Sequence, residues 1–221
     1  MSSTIRSNES RSKKKQRLGE MVRRFKRYYP EAHCALHYTT AHELLVATIL
    51  SAQCTDERVN QVTPSLFSRF PSVKALAEAP LPEMEEIIRP TGFFRNKAKN
   101  IKACAQALVE QHGASVPQDL DHLVRLAGVG RKTAHVVLGN AFGIASGVVV
   151  DTHVTRLANR LGLVRGQNAQ KIEQELNELV EPRDWILFSH WLIEHGRKVC
   201  KARKPMCHQC FLEDLCPQRG V

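Results

Sequence analysis

Residues 123–134 read Leu123-Val124-Arg125-Leu126-Ala127-Gly128-Val129-Gly130-Arg131-Lys132-Thr133-Ala134. Leu123, Val124 and Leu126 close one apolar-periodic stretch, two glycines flank a single valine, and a second helical stretch over residues 131–142 starts at once. Helix, tight turn, helix is the pattern. Glycine lets the backbone turn sharply and expose successive N–H groups. A helix N-terminus directly behind the turn adds orphan donors and the positive end of a dipole, so the segment suits an anion such as a DNA phosphate. Such a grip reads no bases. Val129 is expected to anchor the turn, with Gly128, Gly130 and Arg131 facing the phosphate. An ordinary helical corner uses Gly-Val-Gly too; Arg131-Lys132 and the small Thr133-Ala134 pair carry the nucleic-acid reading.

Outward from this hairpin the chain is helical. Leu18, Met21, Val22 and Phe25 recur at three and four, and Pro30 ends that helix. Residues 44–52 are nearly all apolar, as in a buried helix, with Thr40 or His42 as cap. Val59, Val62 and Leu66 keep helical spacing, and Pro71, Pro80-Leu81-Pro82 and Pro90 separate short helices. Residues 96–112 are amphipathic and meet Gly113 where a C-cap glycine belongs. Asp119 opens a helix through Leu126, and further helices are expected at 152–161, 169–180 and 185–200. The strand-like run Val148-Val149-Val150 is too short for a sheet, so the fold class is all-α.

The 221 residues carry a net charge of +10 that is unevenly spread. Residues 1–30 hold ten Lys/Arg against two acids, and residues 191–221 hold six against three. A basic end is either a solvated tail or a contact for a polyanion. Residues 1–17, rich in Ser, Lys and Arg, read as a disordered basic arm that tracks phosphates. No apolar run reaches the roughly 18 residues of a membrane helix, and no signal-type stretch opens the chain. An intracellular place is expected, cytoplasmic in a bacterium and nuclear in a eukaryote.

Two residues suggest chemistry. Lys132 lies in the first turn of the second hairpin helix, where the dipole and Arg131 both disfavour a cation and so favour the nucleophilic amine. Phosphate binding is its alternative role. Asp151, after the valine run, is a helix N-cap, a general base, or both.

Of seven cysteines, Cys34, Cys54 and Cys104 lie singly in apolar segments and read as small core residues. Cys200, Cys207, Cys210 and Cys216 crowd into the last 22 residues as C-x6-C-x2-C-x5-C. Four thiolates suit zinc or an iron–sulfur cluster, and the single close pair with a wide x6 loop favours the cluster. That loop presents Lys201, Arg203 and Lys204 as a second phosphate contact, held at both ends by ligation. The expected role of the metal is structural.

Together these segments resemble the helix-hairpin-helix base-excision glycosylases of the endonuclease III family, over about residues 18–216. The closest motifs are Leu50-Ser51-Ala52-Gln53-Cys54-Thr55-Asp56, Gly128 to Ala134, Val150-Asp151-Thr152-His153 and the four cysteines. The resemblance implies a six-helix barrel over 34–144 and a discontinuous domain of 18–33 and 145–221 holding a 4Fe–4S cluster, with the active cleft between them. It implies that Lys132 is the nucleophile and Asp151 its activating carboxylate. Gln53 would fill the gap left by a flipped-out base, and Phe93 would wedge into the opposite strand. The expected activity is that of a bifunctional DNA glycosylase and AP lyase, a monomer acting on oxidised pyrimidines or abasic sites in double-stranded DNA. No membrane is involved. Alternatives are a monofunctional mismatch glycosylase of the same superfamily, which would lack a lysine at position 132, and a non-catalytic DNA-binding module. Three features depart from the family pattern. Ala127 stands where a proline is usual, the interval from Lys132 to Asp151 is one residue longer, and Phe93 replaces a leucine.

Overall fold

The computed structural model describes residues 9–221, and among these it is helical without strands. The chain divides into two compact units, Met1–His33 with Gly147–Val221, and Cys34–Ser146.

The continuous unit holds α2 (Ala41–Leu50), α3 (Asp56–Arg69), α4 (Val73–Glu78), α5 (Leu81–Ile88), α6 (Phe94–His112), α7 (Leu120–Val124) and α8 (Arg131–Phe142), here numbered after the N-terminal helix. Helix α2 is the apolar centre: residues 44–50 are all buried, as the run of aliphatic side chains requires. Thr40 caps it by accepting from the Glu43 N–H, while the Glu43 carboxylate accepts from the Thr40 N–H, a reciprocal capping box. Around it pack Leu66, Leu76, Met84, Ile88, Ile101 and Leu138, each 1% exposed or less. Helix α6 ends at Gly113 in the left-handed conformation, φ 58°.

The discontinuous unit joins α1 (Arg11–Tyr28) to α9 (Thr152–Arg160), α10 (Ala169–Leu179) and α11 (Trp185–Lys198). Its core is aromatic. Phe25 stacks on Trp191 with ring centroids 6.1 Å apart and meets Phe188 edge-on at 6.5 Å. The valine run 148–150 is buried and extended with no strand beside it. Side chains satisfy two of its N–H groups instead: Val148 donates to Asn177 Oδ1 and Val149 to Ser189 Oγ, both at 2.9 Å.

One expectation is overturned. Residues 11–17 are not a disordered arm but the first two turns of α1, capped by the Ser10 hydroxyl. Lys14 donates to the Leu163 carbonyl and Arg17 to those of Leu161 and Leu215, so tertiary contacts order a segment that composition alone marks as loose. Residues 1–8 of that arm lie outside the described residues.

Candidate active site and metal centre

The hairpin forms where the glycines place it. Gly128 has φ +76°, and a Cβ there would stand 2.9 Å from Asn100 Cβ on α6. Both the conformation and the close approach call for glycine. The Val129 N–H donates to the Leu126 carbonyl at 3.1 Å, closing the turn with Ala127 in it, and the Val129 side chain is buried as the anchor. Gly130 is the N-cap of α8 and brings no side chain to its first-turn donors. Arg131 and Lys132 are exposed at this end.

Asp151 performs the structural half of its expected role. Its Oδ1 accepts from the Val154 N–H at 2.8 Å, capping α9. Lys132 belongs to the continuous unit and Asp151 to the discontinuous one.

Gln53 and Phe93 share an unusual state. Gln53 has φ 53° and Phe93 φ 49°, left-handed values rare for residues bearing a Cβ, and both are exposed. Phe93 is the N-cap of α6 and 64% exposed, so it is no core residue. Strained, exposed positions of this kind cluster at functional sites.

The four C-terminal cysteines form no disulfide and line one cavity with Arg160, His195 and Met206. Among the described residues no three His, Cys, Asp or Glu side chains converge as ligands of a single ion must. The thiols surround a shared space instead, the donor arrangement of a multinuclear cluster. Hydrogen-bond donors already face the sulfurs. Leu212 N–H lies 3.4 Å from Cys210 Sγ, Gln218 N–H 3.3 Å from Cys216 Sγ, and Arg160 Nη1 3.4 Å from Cys200 Sγ. Donors so placed favour thiolate ligands. Burial pushes the Cys210 thiol up to about 11, so its thiolate form is one that a bound cation must stabilise. His195 sits between Tyr29 Oη, 3.0 Å from Nδ1, and Cys210 Sγ, 3.3 Å from Nε2. Burial raises the Tyr29 phenol to about 12, so its hydroxyl keeps its proton beside the imidazole.

Lys201, Arg203 and Lys204 are exposed on the loop between Cys200 and Cys207. Arg160, only 8% exposed, holds that loop from beneath by donating to the carbonyls of Lys201 at 2.7 Å and Ala202 at 3.0 Å. Arg156 donates to the carbonyls of Gly196 and Cys200, both at 3.1 Å. Neither arginine stands out in the sequence. They sit four residues apart on the face of α9 turned away from Val154, Leu157, Ala158 and Leu161, where cations are ordinary, so no sequence signal could have found them. Lys97 differs from both: it is 5% exposed and lies on the same face of α6 as Ile101, Cys104 and Leu108.

A glycine hairpin feeding a lysine-bearing helix, in a chain that also builds a four-thiol cradle, defines a class: helix-hairpin-helix DNA-repair proteins with an iron–sulfur centre. Residues 46–182 match the HhH-GPD superfamily of base excision DNA repair proteins, and residues 200–216 the iron–sulfur binding domain of endonuclease III. Endonuclease III of Synechocystis is 54% identical over 217 residues, 98% of each chain. Two solved structures, a non-covalent endonuclease III–DNA complex and a trapped endonuclease III–DNA covalent intermediate, each superpose with a TM-score of 0.87 at 40% identity. Each covers 91% of this chain and 94% or 95% of its own. The chain belongs to the endonuclease III family of the HhH-GPD superfamily. Its cofactor is a 4Fe–4S cluster, and the segment that matches the iron–sulfur binding domain spans the four C-terminal cysteines.

Proposed function

We propose that this chain is a bifunctional DNA N-glycosylase and AP lyase of base excision repair, with Lys132 as the nucleophile and Asp151 as the carboxylate that activates it. The observation that carries the assignment is Lys132 itself, an exposed amine in the first turn of α8 directly behind the glycine hairpin. A phosphate held on the hairpin donors fixes the sugar–phosphate backbone beside that amine. Asp151 takes a proton from the Lys132 ammonium, and the amine attacks C1′ of the damaged nucleotide. The C1′–N bond breaks and the base leaves with its electron pair and a proton. Ring opening gives a Schiff base between Lys132 and C1′. Loss of a C2′ proton then expels the 3′ phosphate by β-elimination. The 4Fe–4S cluster supplies structure: it holds both ends of the loop carrying Lys201, Arg203 and Lys204, which makes a second phosphate contact.

The substrates are oxidised pyrimidines such as thymine glycol, and abasic sites, in double-stranded DNA, and the enzyme works as a monomer. Gln53 fills the space of the flipped nucleotide while Phe93 wedges against the opposite strand, a reading supported by their exposure and left-handed backbones. The test is borohydride trapping on a duplex containing thymine glycol. Wild-type protein should give a covalent protein–DNA adduct, and Lys132→Ala should give none while still binding abasic DNA. An adduct formed by Lys132→Ala overturns the assignment.

A further inference from the structure

We propose that Lys97 is a positioning residue for base flipping, its buried side chain tying the turn that presents Gln53 to the turn that presents Phe93 so that the two act together. The inference rests on the roles given above to Gln53 and Phe93. Lys97 Nζ donates to the Leu50 carbonyl at 2.8 Å and to the Thr91 carbonyl at 2.8 Å, both buried bonds. Leu50 is the last residue of α2, and its carbonyl is one of the orphan acceptors at that helix end. The chain then passes through Ser51 and Ala52 to Gln53 and enters α3 at Asp56. Thr91 ends the 3-10 turn of Arg89–Thr91, and Gly92 and Phe93 follow, both at positive φ.

A methionine would fill the same space in this apolar core, so packing gives no reason for an amine here. Burying one costs desolvation, which lowers the affinity of Lys97 for its proton, and only good acceptors offset that cost. The two acceptors are the carbonyls that open the strained turns. Both turns depend on neighbours to keep Gln53 and Phe93 left-handed, and Lys97 is a neighbour common to both.

The experiment uses the full-length, cluster-loaded protein with Lys97→Met. Substrates are a thymine glycol duplex with 2-aminopurine beside the lesion and the same lesion in a single strand. Loss of two hydrogen bonds from a charged donor should lower the duplex-to-single-strand ratio of single-turnover excision about tenfold or more. The 2-aminopurine fluorescence rise on flipping should fall with it. Adding Lys97→Met to Phe93→Ala should cost little beyond Phe93→Ala alone, because both act on one device. An unchanged ratio, or losses that simply multiply, overturns the proposal. If Gln53→Ala and Phe93→Ala leave the ratio untouched, the roles of those two residues fail, and the present inference with them. Should Lys97→Met not fold, hydrogen exchange on the wild-type protein decides. Amides 51–55 and 92–95 must gain protection together on a duplex with a reduced abasic site, and independent changes overturn the link.

Discussion

Arg17 and Glu9 form an ion pair at 2.7 Å in which the two side chains are 8% and 14% exposed. The same guanidinium donates to the carbonyls of Leu161 at 2.8 Å and Leu215 at 3.0 Å. A residue that composition assigns to a cationic tail is thus a strut joining α1 to the end of α9 and to the cysteine segment. Arg17→Met should destabilise the protein by about 2–3 kcal/mol, since Glu9 and two carbonyls lose their donor. Lys13→Gln with Lys15→Gln changes exposed residues of α1 only. Each should flatten the dependence of log K on log salt by at most about 0.9 for undamaged and lesion DNA alike. Denaturant unfolding and a salt series of binding curves check the two halves. An Arg17→Met protein as stable as wild type would return residue 17 to the tail.

Asp151 is both cap and proposed base, and asparagine separates the two. Asn caps a helix as well as Asp, so Asp151→Asn keeps the bond to the Val154 N–H and should unfold like wild type. It removes the carboxylate, and base removal should slow by about 100-fold or more. Asp151→Ala should lose the cap as well, at about 1 kcal/mol. Single-turnover excision and thermal unfolding on the pair give the answer. Asp151→Asn with wild-type turnover leaves the residue a cap and nothing else.

Gly128→Ala meets two obstacles, the positive φ and Asn100 Cβ at 2.9 Å. The conformational part alone costs roughly 1–2 kcal/mol. Weaker binding of undamaged duplex should accompany it, because the hairpin donors move. Trimming Asn100 to Ala as well leaves a Cβ at that position, so the double variant should regain little. Calorimetry and binding on both proteins distinguish this from crowding by the Asn100 amide, which Asn100→Ala would already relieve.

His190 gives a pH signature. Burial first, then His33, lower it to about 4, while Glu194 pulls weakly the other way. Its folded value lies below the ordinary 6.5, so the unfolded chain binds the extra proton. Stability from this residue is therefore complete above pH 6.5 and is lost as pH falls toward about 4. His190→Gln should reduce the slope of stability against pH in that window by at most about 1.4 kcal/mol per unit. Urea unfolding at several pH values measures it, and an unaltered slope would show that His190 does not titrate with folding.

What the sequence made legible was what repeats or punctuates. The 131–142 helix, its glycine turn, the cap by Asp119 and the stop at Gly113 all follow from local patterning, and they stand within a residue or two of expectation. The apolar run of α2 announced a core helix in the same way. Cations whose partners are distant carbonyls were not legible. Lys97 finds Leu50 across 47 residues and Arg160 finds Lys201 across 41, so no window of sequence contains both halves of either interaction. The start of α1 was hidden for the same reason. Local composition disfavours order in residues 11–17, and the acceptors that impose it lie at Leu161, Leu163 and Leu215. Of the candidate site, the residue types were readable, while the left-handed backbones that display Gln53 and Phe93 were not.

Helix α9 has a consequence for how this family can diverge. Asp151 caps one end, while Arg156 and Arg160 grip the cysteine segment from the other half of the same nine-residue rod. A lineage that gave up its four thiols would leave the buried Arg160 and the half-buried Arg156 facing carbonyls no longer held in place. It could keep the cap only by replacing both arginines, or by rebuilding the loop around them without metal. Loss of the cysteines should therefore travel through evolution together with positions 156 and 160, as one inherited block rather than as four independent substitutions.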